Sequence, residues 1–571
     1  MAEAKRWIFL VCFLVCLGPL LVSSGNEPGQ DAVVAKNGMV VSVDEHASRI
    51  GVEILKKGGN AVDAAVAVGF ALAVTYPPAG NIGGGGFMII REPQYGKCVA
   101  LDFREKAPEK SMADMYLDEE GEYVQDRSFF GHLAVGVPGT VKGFERAMTE
   151  YGSLSWEDVI APAIVLAEKG FQLSKKMALS FNGIRSLKNK ASKELLRIFI
   201  KPDKSPWKEG DLFVQKELAE SLKLISTHGS AAFYRGQIAD LIAKDMNKHG
   251  GLISKKDLLE YDAVFRKPVI GRYRGYEIVS MPPPSSGGTI LIEMLNILEG
   301  FELRSMSRFA PETLRLMAEA MKFAYFDRAK HMGDQDFEEI PVAKLVSKYH
   351  ARNIREKIKT KTVIPSLEIG AEILTSEKGL ETTHYSVIDK SHMAVSTTYT
   401  LNGGYGSLVV AEGTGVLLNN EMADFNMKPG FTDDQGMIGT QPNQIAPYKR
   451  MLSSMTPTIV VKDGKAFLIT GSPGGRTIIN TVLSVLVNVI DFQLPIQKAI
   501  DAPRLNHEWM PDILYLEQGC REKELKDALE AMGYHLKWRR QGDAHSILID
   551  PETGLFYGAA DRRVLGAAIG Y

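Results

Sequence analysis

The pattern of apolar and polar positions divides the chain into a helix-rich part and a strand-rich part. Residues 46–77 read as two apolar helices separated by Gly58-Gly59-Asn60, and the segment FMIIRE after the loop AGNIGGGG predicts a strand. From about Met112 to Leu380 amphipathic helical segments dominate, such as QKELAESLKLISTHG and PETLRLMAEAMKFAYFDRAKHMGD. The proline- and serine-rich corner PPPSSGG, residues 282–288, interrupts them.

From Thr382 onward the pattern changes to strands and tight turns. HYSVID and HMAVSTTYT predict one hairpin, and HSILID with LFYGAA predicts another. TPTIVVK and KAFLIT predict a third, joined by Asp463-Gly464, a pair that two-residue hairpin turns favour. Because strands flanked by long helices form sheets covered by helices, we expect an α+β layered sandwich.

The N-terminal segment has the organisation of a secretory signal. Lys5 and Arg6 precede the apolar run Trp7 to Val22, and small residues follow it. A membrane-tethering signal anchor is the alternative, but the run falls short of the ~20 apolar residues that a spanning helix needs. We therefore predict that residues 1–24 are a signal peptide removed near Ser24, which implies a secreted or periplasmic protein.

Length and charge narrow the class of protein. The chain has 571 residues, too many for one ordinary core, which predicts two domains or one large sandwich with an added lobe. Its composition, 45% apolar and 24% charged, is that of an ordinary globular protein. Because the net charge is only -2, no basic field for nucleic acid is expected, and a small or polar substrate is favoured.

The cysteines argue against a disulfide framework and against a metal site. Cys12 and Cys16 would leave with the signal segment, so the mature chain keeps Cys98 and Cys520. Neither lies in a CxxC motif or a Cys/His cluster, so both are interpreted as packed or free thiols. No metal and no cofactor is predicted.

The segment GSPGGRT, residues 471–477, lies between a predicted strand and an apolar helix. Such a turn exposes unpaired backbone N–H groups at a helix N-terminus, which favours an anion. A phosphate loop is one interpretation, although Arg476 stands where its lysine should be. The amides of Gly474 and Gly475 would serve equally well as an oxyanion hole, and a plain glycine turn is the third possibility.

Further polar residues in predicted loops are ambiguous when taken singly. They are Arg104, Asn402, Glu421, Asp424, Ser453 and Ser454. The planar fork of an arginine suits a carboxylate ligand, but an exposed salt bridge is as good an explanation. The others could bind a ligand or could be solvated turn residues.

The candidate nucleophile for which the sequence suggests a mechanism lies in the threonine pair of TTHYSVIDK, residues 382–390. The chain has no GxSxG elbow and no HExxH motif. A mid-chain threonine is a poor nucleophile, whereas an N-terminal one has its own α-amine as base, with a pKa of ~7.7 to 8.0. Cleavage before Thr382 would therefore create an active residue.

Several motifs in series resemble the γ-glutamyltransferases of the N-terminal-nucleophile hydrolase superfamily. They are GGNAVDAAVA, NIGGGGF, DFREKAP, VPG at Val137, PPPSSGG, TTHYSVIDK, TYTLN, LLNNEMADF, LSSMTPT, GSPGGRT and the final GY. They span essentially all of the mature chain. The resemblance implies a four-layer αββα sandwich, built from two chains of one self-cleaved precursor.

The resemblance also implies a reaction. The precursor would cut itself between Glu381 and Thr382 into a large subunit, residues 25–381, and a small catalytic subunit, residues 382–571. Thr382 would then form a γ-glutamyl ester from glutathione or another γ-glutamyl compound. Water, an amino acid or a dipeptide would resolve that ester, and no cofactor is implied.

The family roles can be carried over residue by residue. Thr400 would orient the nucleophile, and Gly474 and Gly475 would stabilise the oxyanion. The α-carboxylate of the γ-glutamyl group would be held by Arg104, Ser453 and Ser454. Its α-amine would be held by Asn402, Glu421 and Asp424. The segment Lys428 to Gln441 has the length of the family's lid, with Gln435 where an aromatic gate residue is often seen.

Other functions stay in competition. An acylase for β-lactam side chains or a poly-γ-glutamate depolymerase would keep Thr382 and change the pocket. Retention of Arg104, both carboxylates and both serines favours γ-glutamyl substrates. A processed but inactive binding homologue is a possibility of another class, but the catalytic set has no missing member.

Overall fold

The structure is a computed structural model that describes residues 32–93, 96–359, 363–370, 381–433, 438–564 and 566–571. The predicted signal segment 1–24 and Gln435 lie outside the described residues, so their predictions stay open. Ala32–Tyr571 form one compact unit, as one large sandwich would. Among the described residues, no helix combines the length and the apolar content that crossing a membrane requires.

Two large antiparallel sheets form the centre of the described part of the chain. Sheet I has seven strands in the spatial order Val33–Ala35, Phe556–Ala560, His545–Ile549, Lys465–Thr470, Thr458–Lys462, Tyr276–Ser280 and Val269–Tyr273. Sheet II has seven strands in the order Ala567–Gly570, Gly38–Ser42, Glu381–Asp389, Ala394–Asn402, Gly85–Arg91, Cys98–Phe103 and Val264–Arg266.

Smaller strand groups lie outside the two main sheets. They are Val409–Val410 with Leu417–Leu418, Phe171–Gln172 with Leu212–Phe213, and the three-stranded group Leu505–Asn506, Leu514–Leu516 and Leu536–Trp538.

Helices occupy much of the remaining described chain. The α-helices are Glu45–Lys56, Ala61–Thr75, Gln125–Phe129, Thr140–Tyr151, Trp156–Lys169, Lys175–Gly183, Lys193–Phe199, Lys216–His228, Ala231–Tyr234, Gln237–His249, Lys255–Glu260, Gly287–Leu298, Pro311–His331, Val342–Leu345, Lys348–Ile358, Ser366–Ile369, Ile478–Ile490, Ile496–Asp501 and Lys523–Ala531. Short 3₁₀ turns are His132–Ala134, Ile184–Leu187, Leu303–Ser305, Glu421–Asp424, Gln441–Asn443, Gly475–Thr477 and Gln518–Cys520.

The buried apolar side chains define four layers. The inner faces of the two sheets pack on each other through residues such as Phe87 and Ile89 of sheet II and Ile469 of sheet I. The helices Glu45–Lys56 and Ala61–Thr75 cover the outer face of sheet II. Helices of the second apolar cluster, among them Gly287–Leu298 and Ile478–Ile490, cover sheet I. The predicted αββα sandwich is confirmed.

The predicted hairpins are confirmed, including the one whose turn residues have a strong backbone preference. All three predicted hairpins pair antiparallel. Asp463 and Gly464 both have positive φ, at 50° and 73°, as the two-residue hairpin turn that matches strand twist requires. The strands between residues 264 and 280 were not predicted, because this short stretch lies within a region dominated by helical periodicity. They supply edge strands to both sheets.

Candidate active site

A cavity of about 350 Å³ gathers most of the predicted site residues. Its lining includes Arg104, Thr382, Thr400, Asn402, Glu421, Asp424, Ser453, Ser454 and Gly475. Gly474 lines a second cavity, with which the first shares Arg476. Residues as far apart in the chain as Arg104 and Gly475 therefore meet at one place, which loop composition alone did not establish.

Thr382 lies at an irregularity near the start of the third strand of sheet II. Glu381 pairs with Asn402 and Thr383 pairs with Tyr399, so Thr382 stands opposite two residues of the neighbouring strand. Such a bulge breaks the alternation of side chains and re-aims them, which is why bulges recur beside active sites. Thr382 is 6% exposed and faces the cavity, while Thr383 is fully buried.

Thr400 is held firmly beside this bulge. Its carbonyl accepts a hydrogen bond from Asn81 Nδ2 at 2.9 Å, and its hydroxyl accepts one from the Asn402 amide at 2.7 Å. Gly84 packs against the same carbonyl so closely that a Cβ there would lie 2.0 Å from the oxygen. The glycine run of NIGGGGF is therefore needed for close backbone approach to the strand that carries Thr400.

The GSPGGRT segment forms a tight glycine turn before the helix Ile478–Ile490. Gly474 and Gly475 have φ values of 125° and 56°, in the region that favours glycine. The Gly474 carbonyl accepts hydrogen bonds from the Thr477 amide at 3.1 Å and from its hydroxyl at 2.8 Å. Because the N–H groups at the start of a helical turn have no intrahelical acceptor, they are available to an anion.

The cationic and anionic residues of the predicted substrate site contact one another. Arg104 Nη1 lies 2.6 Å from a Glu421 carboxylate oxygen, and Arg104 Nη2 lies 2.5 Å from Asp424 Oδ2. The first contact is an ion pair without hydrogen-bond alignment, and the second is a charge-assisted hydrogen bond. The guanidinium also donates to the carbonyls of Met451 and Leu452 at 3.3 and 3.2 Å. We call the side chains of Arg104, Glu421 and Asp424 the Arg104 network.

Burial controls the electrostatics of the Arg104 network. Burial acts to lower the pKa of Arg104, but the carboxylates of Glu421 and Asp424 outweigh it and the pKa is raised. Burial raises the pKa of Glu421 well above its usual range, with Arg104 acting in the opposite direction. Asp424 keeps 31% of its side chain exposed, so it is the most exposed member of the network in the cavity.

Glu105 is a further acid beside the network that the sequence did not single out. Its carboxylate lies 3.5 Å from Arg104 Nη1. Burial raises its pKa to about 8, with Arg104 opposing the shift. Its position inside the DFREKAP motif was visible, but nothing in the sequence indicated that it is fully buried.

Ser453 and Ser454 are fixed by the PPPSSGG corner. The Ser453 amide donates to the Pro284 carbonyl at 3.0 Å, and the Ser286 amide donates to the Ser453 carbonyl at 2.8 Å. Asn443, another unpredicted residue, joins this loop to the Arg104 network. It donates to the Asp424 carbonyl at 2.7 Å and accepts from the Leu452 amide at 2.9 Å.

Arg328 is the most consequential residue that sequence reasoning missed. It projects from the helix Pro311–His331, lines the cavity and is 8% exposed. Its guanidinium donates to Ser286 Oγ and to Ser454 Oγ, each at 2.9 Å. In the sequence, Arg328 is one arginine among several charged residues of a long amphipathic helix, and no pattern distinguishes it from them.

The remaining chemistry-bearing groups lie apart from the cavity. Cys98 and Cys520 are both free thiols. Two groups of side chains bring their potential ligand atoms within 4.8 Å of one another: His132, Asp245 and His249, and Glu293, Asp327 and His350. None of these six residues lines the cavity, and each group is already joined by hydrogen bonds between histidine and aspartate.

Comparisons with known proteins agree with this geometry. The family model described as Gamma-glutamyltranspeptidase matches residues 47–571. The glutathione hydrolase proenzyme of Escherichia coli K12 is 48% identical over 534 residues, covering 93% of this chain and 91% of the relative. The Acylase ACY 1 proenzyme of Pseudomonas sp. V22 is 37% identical and covers 93% of each chain.

Two solved structures are similar to this chain. A cephalosporin acylase from Bacillus halodurans aligns with a TM-score of 0.84 at 27% identity, covering 98% of this chain and 99% of that one. The Helicobacter pylori gamma-glutamyltranspeptidase is 49% identical with a TM-score of 0.55, covering 56% of this chain and 92% of that one. The chain therefore belongs to the gamma-glutamyltranspeptidase family.

Proposed function

We propose that this chain is the proenzyme of a glutathione hydrolase and γ-glutamyltransferase whose nucleophile is Thr382. The observation that carries the proposal is the position of Thr382, at a bulge that faces the cavity beside the Arg104 network. Several relatives over 90% or more of this chain are named glutathione hydrolase proenzymes, which supports both the substrate class and the processing.

Self-cleavage is the first step of the proposed mechanism. The Thr382 hydroxyl attacks the carbonyl carbon of Glu381, the peptide C–N bond breaks, and the amide nitrogen takes the proton. Water then hydrolyses the resulting ester, which frees the hydroxyl and leaves a carboxylate on Glu381. Residues 25–381 become the large subunit and residues 382–571 the small one, with Thr382 as the first residue of the latter.

Catalysis then uses the new α-amine as the base. With a pKa of ~7.7 to 8.0, a good fraction of that amine is neutral near pH 7.5. It takes the hydroxyl proton as the Thr382 oxygen attacks the γ-carbonyl, and it returns the proton to the leaving amine. Gly474 and Gly475 stabilise the oxyanion through their amides, and Thr400 orients the nucleophile. Water or the amine of an amino acid or dipeptide resolves the ester.

The zwitterionic head of a γ-glutamyl substrate suits the polar groups of the cavity. Asn402, Glu421 and Asp424 would bind its α-ammonium, and Arg104 with Ser453 and Ser454 would bind its α-carboxylate. Because Arg104 already contacts both carboxylates, the substrate would extend a charge network that is prepared before it arrives. Because these side chains are already held in place, less conformational entropy is lost when the substrate binds.

An acylase for β-lactam side chains is the second candidate, because a relative named Acylase ACY 1 proenzyme is 37% identical and a cephalosporin acylase that is 27% identical shares the fold. The Arg104 network favours a γ-glutamyl substrate, since a glutaryl group has no α-ammonium to meet its carboxylates. A poly-γ-glutamate depolymerase and an inactive binding homologue are two further candidates.

Removal of residues 1–24 would make the protein secreted or periplasmic, and retention of that segment would leave the protein tethered to a membrane.

The test combines intact mass, N-terminal sequencing and turnover of a γ-glutamyl anilide. Wild-type protein should give two chains, the second starting at Thr382, and should release the aniline. Thr382→Ala should stay one chain and be inactive. Thr383→Ala is the matched control, because that neighbouring hydroxyl is buried and has no hydrogen-bond partner among the described residues, and it should still be processed.

Several results would contradict the proposal. They are an intact wild-type chain that turns over the anilide, a second chain that begins elsewhere, and a processed protein without turnover. The last of these would favour the binding homologue. Faster cleavage of poly-γ-glutamate than of glutathione would favour the depolymerase.

A further inference from the structure

Arg328 provides positive charge to the cavity without a carboxylate of its own. Within the described part of the chain, no carboxylate oxygen lies within 4.0 Å of its guanidinium, which donates instead to the hydroxyls of Ser286 and Ser454. Burial, followed by the nearby Arg476, lowers the pKa of Arg328 to about 10. The side chain is therefore still charged at neutral pH.

Arg104 is in the opposite situation. Glu421 and Asp424 lie within 2.6 Å of its guanidinium, and Glu105 adds a third acid at 3.5 Å. A buried cation without a counterion is costly, whereas a paired one is already compensated. An anion that enters the cavity therefore gains more from the charge of Arg328 than from that of Arg104.

The directions of the hydrogen bonds around Arg328 are fixed by chemistry. A guanidinium only donates, so Ser454 Oγ must accept from Arg328 Nη2. Among the described residues, the Ser454 hydroxyl has no acceptor for its own proton, and Ser454 lines the cavity. Its proton is consequently free to point toward a ligand.

A second hydrogen bond of Arg328 acts on Ser453 through the hydroxyl of Ser286. Ser286 Oγ accepts from Arg328 Nε at 2.9 Å and donates to the Ser453 carbonyl at 2.7 Å. Ser453 Oγ in turn accepts from the Met455 amide at 3.1 Å. One arginine therefore sets the hydroxyl of Ser454 directly and the backbone of Ser453 through one intervening hydroxyl.

We infer that Arg328 is a positioning residue for the α-carboxylate of the γ-glutamyl substrate. It turns the Ser454 hydroxyl proton into the cavity and supplies the positive charge that this carboxylate meets. The inference rests on the proposed function and deepens it, because it assigns part of the substrate specificity to a residue of the helix Pro311–His331.

The test compares two substrates that differ only in the α-carboxylate. These are a γ-glutamyl anilide and the 4-aminobutyryl anilide, each measured by kcat/KM on processed protein. Wild type should prefer the γ-glutamyl compound by on the order of a hundredfold or more, the scale seen when a site's polar groups lose their match. Arg328→Gln should lose most of that preference, mainly through a higher KM for the γ-glutamyl anilide.

Two further variants separate positioning from general stability. Arg328→Lys keeps the charge and should recover part of the preference. Arg308→Gln is the control, because Arg308 is partly buried and also has no ion-pair partner within 4.0 Å in the described chain, but it does not line the cavity. It should leave the substrate preference unchanged.

The outcomes are distinguishable from those of the proposed function. If processed wild type does not turn over the γ-glutamyl anilide, the proposed function fails. If wild type shows the preference and Arg328→Gln slows both substrates equally, Arg328 is only structural and the inference is overturned. Should Arg328→Gln fail to mature, Ser454→Ala takes its place, and an unchanged preference in that variant overturns the inference.

Discussion

The guanidinium of Arg104 contacts the carboxylate of Glu421 at 2.6 Å, and neither side chain has more than 1% of its surface exposed. A pair this deep costs desolvation energy and gains little net stability, so its retention calls for another reason. The exposed edge of Asp424 supplies one, because it opens the same charge network to the cavity. Conservative changes that keep the charge balance, such as Arg104→Lys, should therefore affect substrate binding more than the fold.

Arg104→Lys should leave maturation intact and strongly reduce catalysis. The lysine keeps one charge but cannot contact Glu421 and Asp424 with two separate nitrogens, as the fork does. We expect two chains of normal mass and a loss in kcat/KM of about a hundredfold. The measurements are intact mass and steady-state turnover of a γ-glutamyl anilide.

Glu421→Gln is the comparison for that variant. It keeps the shape of the side chain and the Arg104 fork, so its loss in kcat/KM should be smaller than that of Arg104→Lys. An unchanged kcat/KM in Arg104→Lys would indicate that Arg104 forms only a structural salt bridge.

Gly474→Ala should reduce kcat while leaving KM nearly unchanged. An added Cβ would lie 2.6 Å from Thr477 Oγ1, and the φ of 125° strains any other residue, so the turn must shift its amides. Loss of one oxyanion donor costs about a hundredfold to a thousandfold in kcat. Gly121→Ala is the control, since its φ is also positive and nothing lies within 4 Å. Equal kcat in both variants would contradict an oxyanion role for this turn.

Local patterns predicted many elements of this fold but not the strands between residues 264 and 280, and a resemblance predicted its arrangement. The Asp463-Gly464 hairpin follows from two residues whose backbone preference is strong. Contact between Arg104 and Asp424 depends instead on how loops that are distant in the sequence come together. The local sequence around a charged loop residue does not predict which residue it will contact. Arg328 was missed for the same reason, because a helical arginine is usually solvated and its burial is set by tertiary packing.

His545 should make the fold sensitive to acid. Burial lowers its pKa to about 4 from an ordinary value of 6.5, with Asp561 opposing the shift. Between pH 6.5 and about 4 the unfolded chain therefore binds a proton that the folded chain does not. The free energy of unfolding should fall as the pH falls through this window, by about 3 kcal/mol in total from this residue.

The measurement is urea unfolding at pH 7 and pH 4.5, in a Thr382→Ala background that keeps one chain. His545→Gln should lose less free energy of unfolding between the two pH values than its parent. His228→Gln, at an exposed helix end, should behave like the parent. If His545→Gln and its parent lose the same free energy, the buried imidazole is not the source.

The Arg104 network should require an α-ammonium on every good substrate. A glutaryl anilide lacks that group, so the single charge of Arg104 would be left to compensate the two carboxylates of Glu421 and Asp424, and an uncompensated buried charge costs several kcal/mol. We expect kcat/KM for the γ-glutamyl anilide to exceed that for the glutaryl anilide by about a hundredfold or more. Both are measured on one processed preparation, so errors in active-site concentration cancel. Near-equal values would reject these roles of Glu421 and Asp424 and favour a glutaryl acylase, with the fold and the nucleophile Thr382 unaffected.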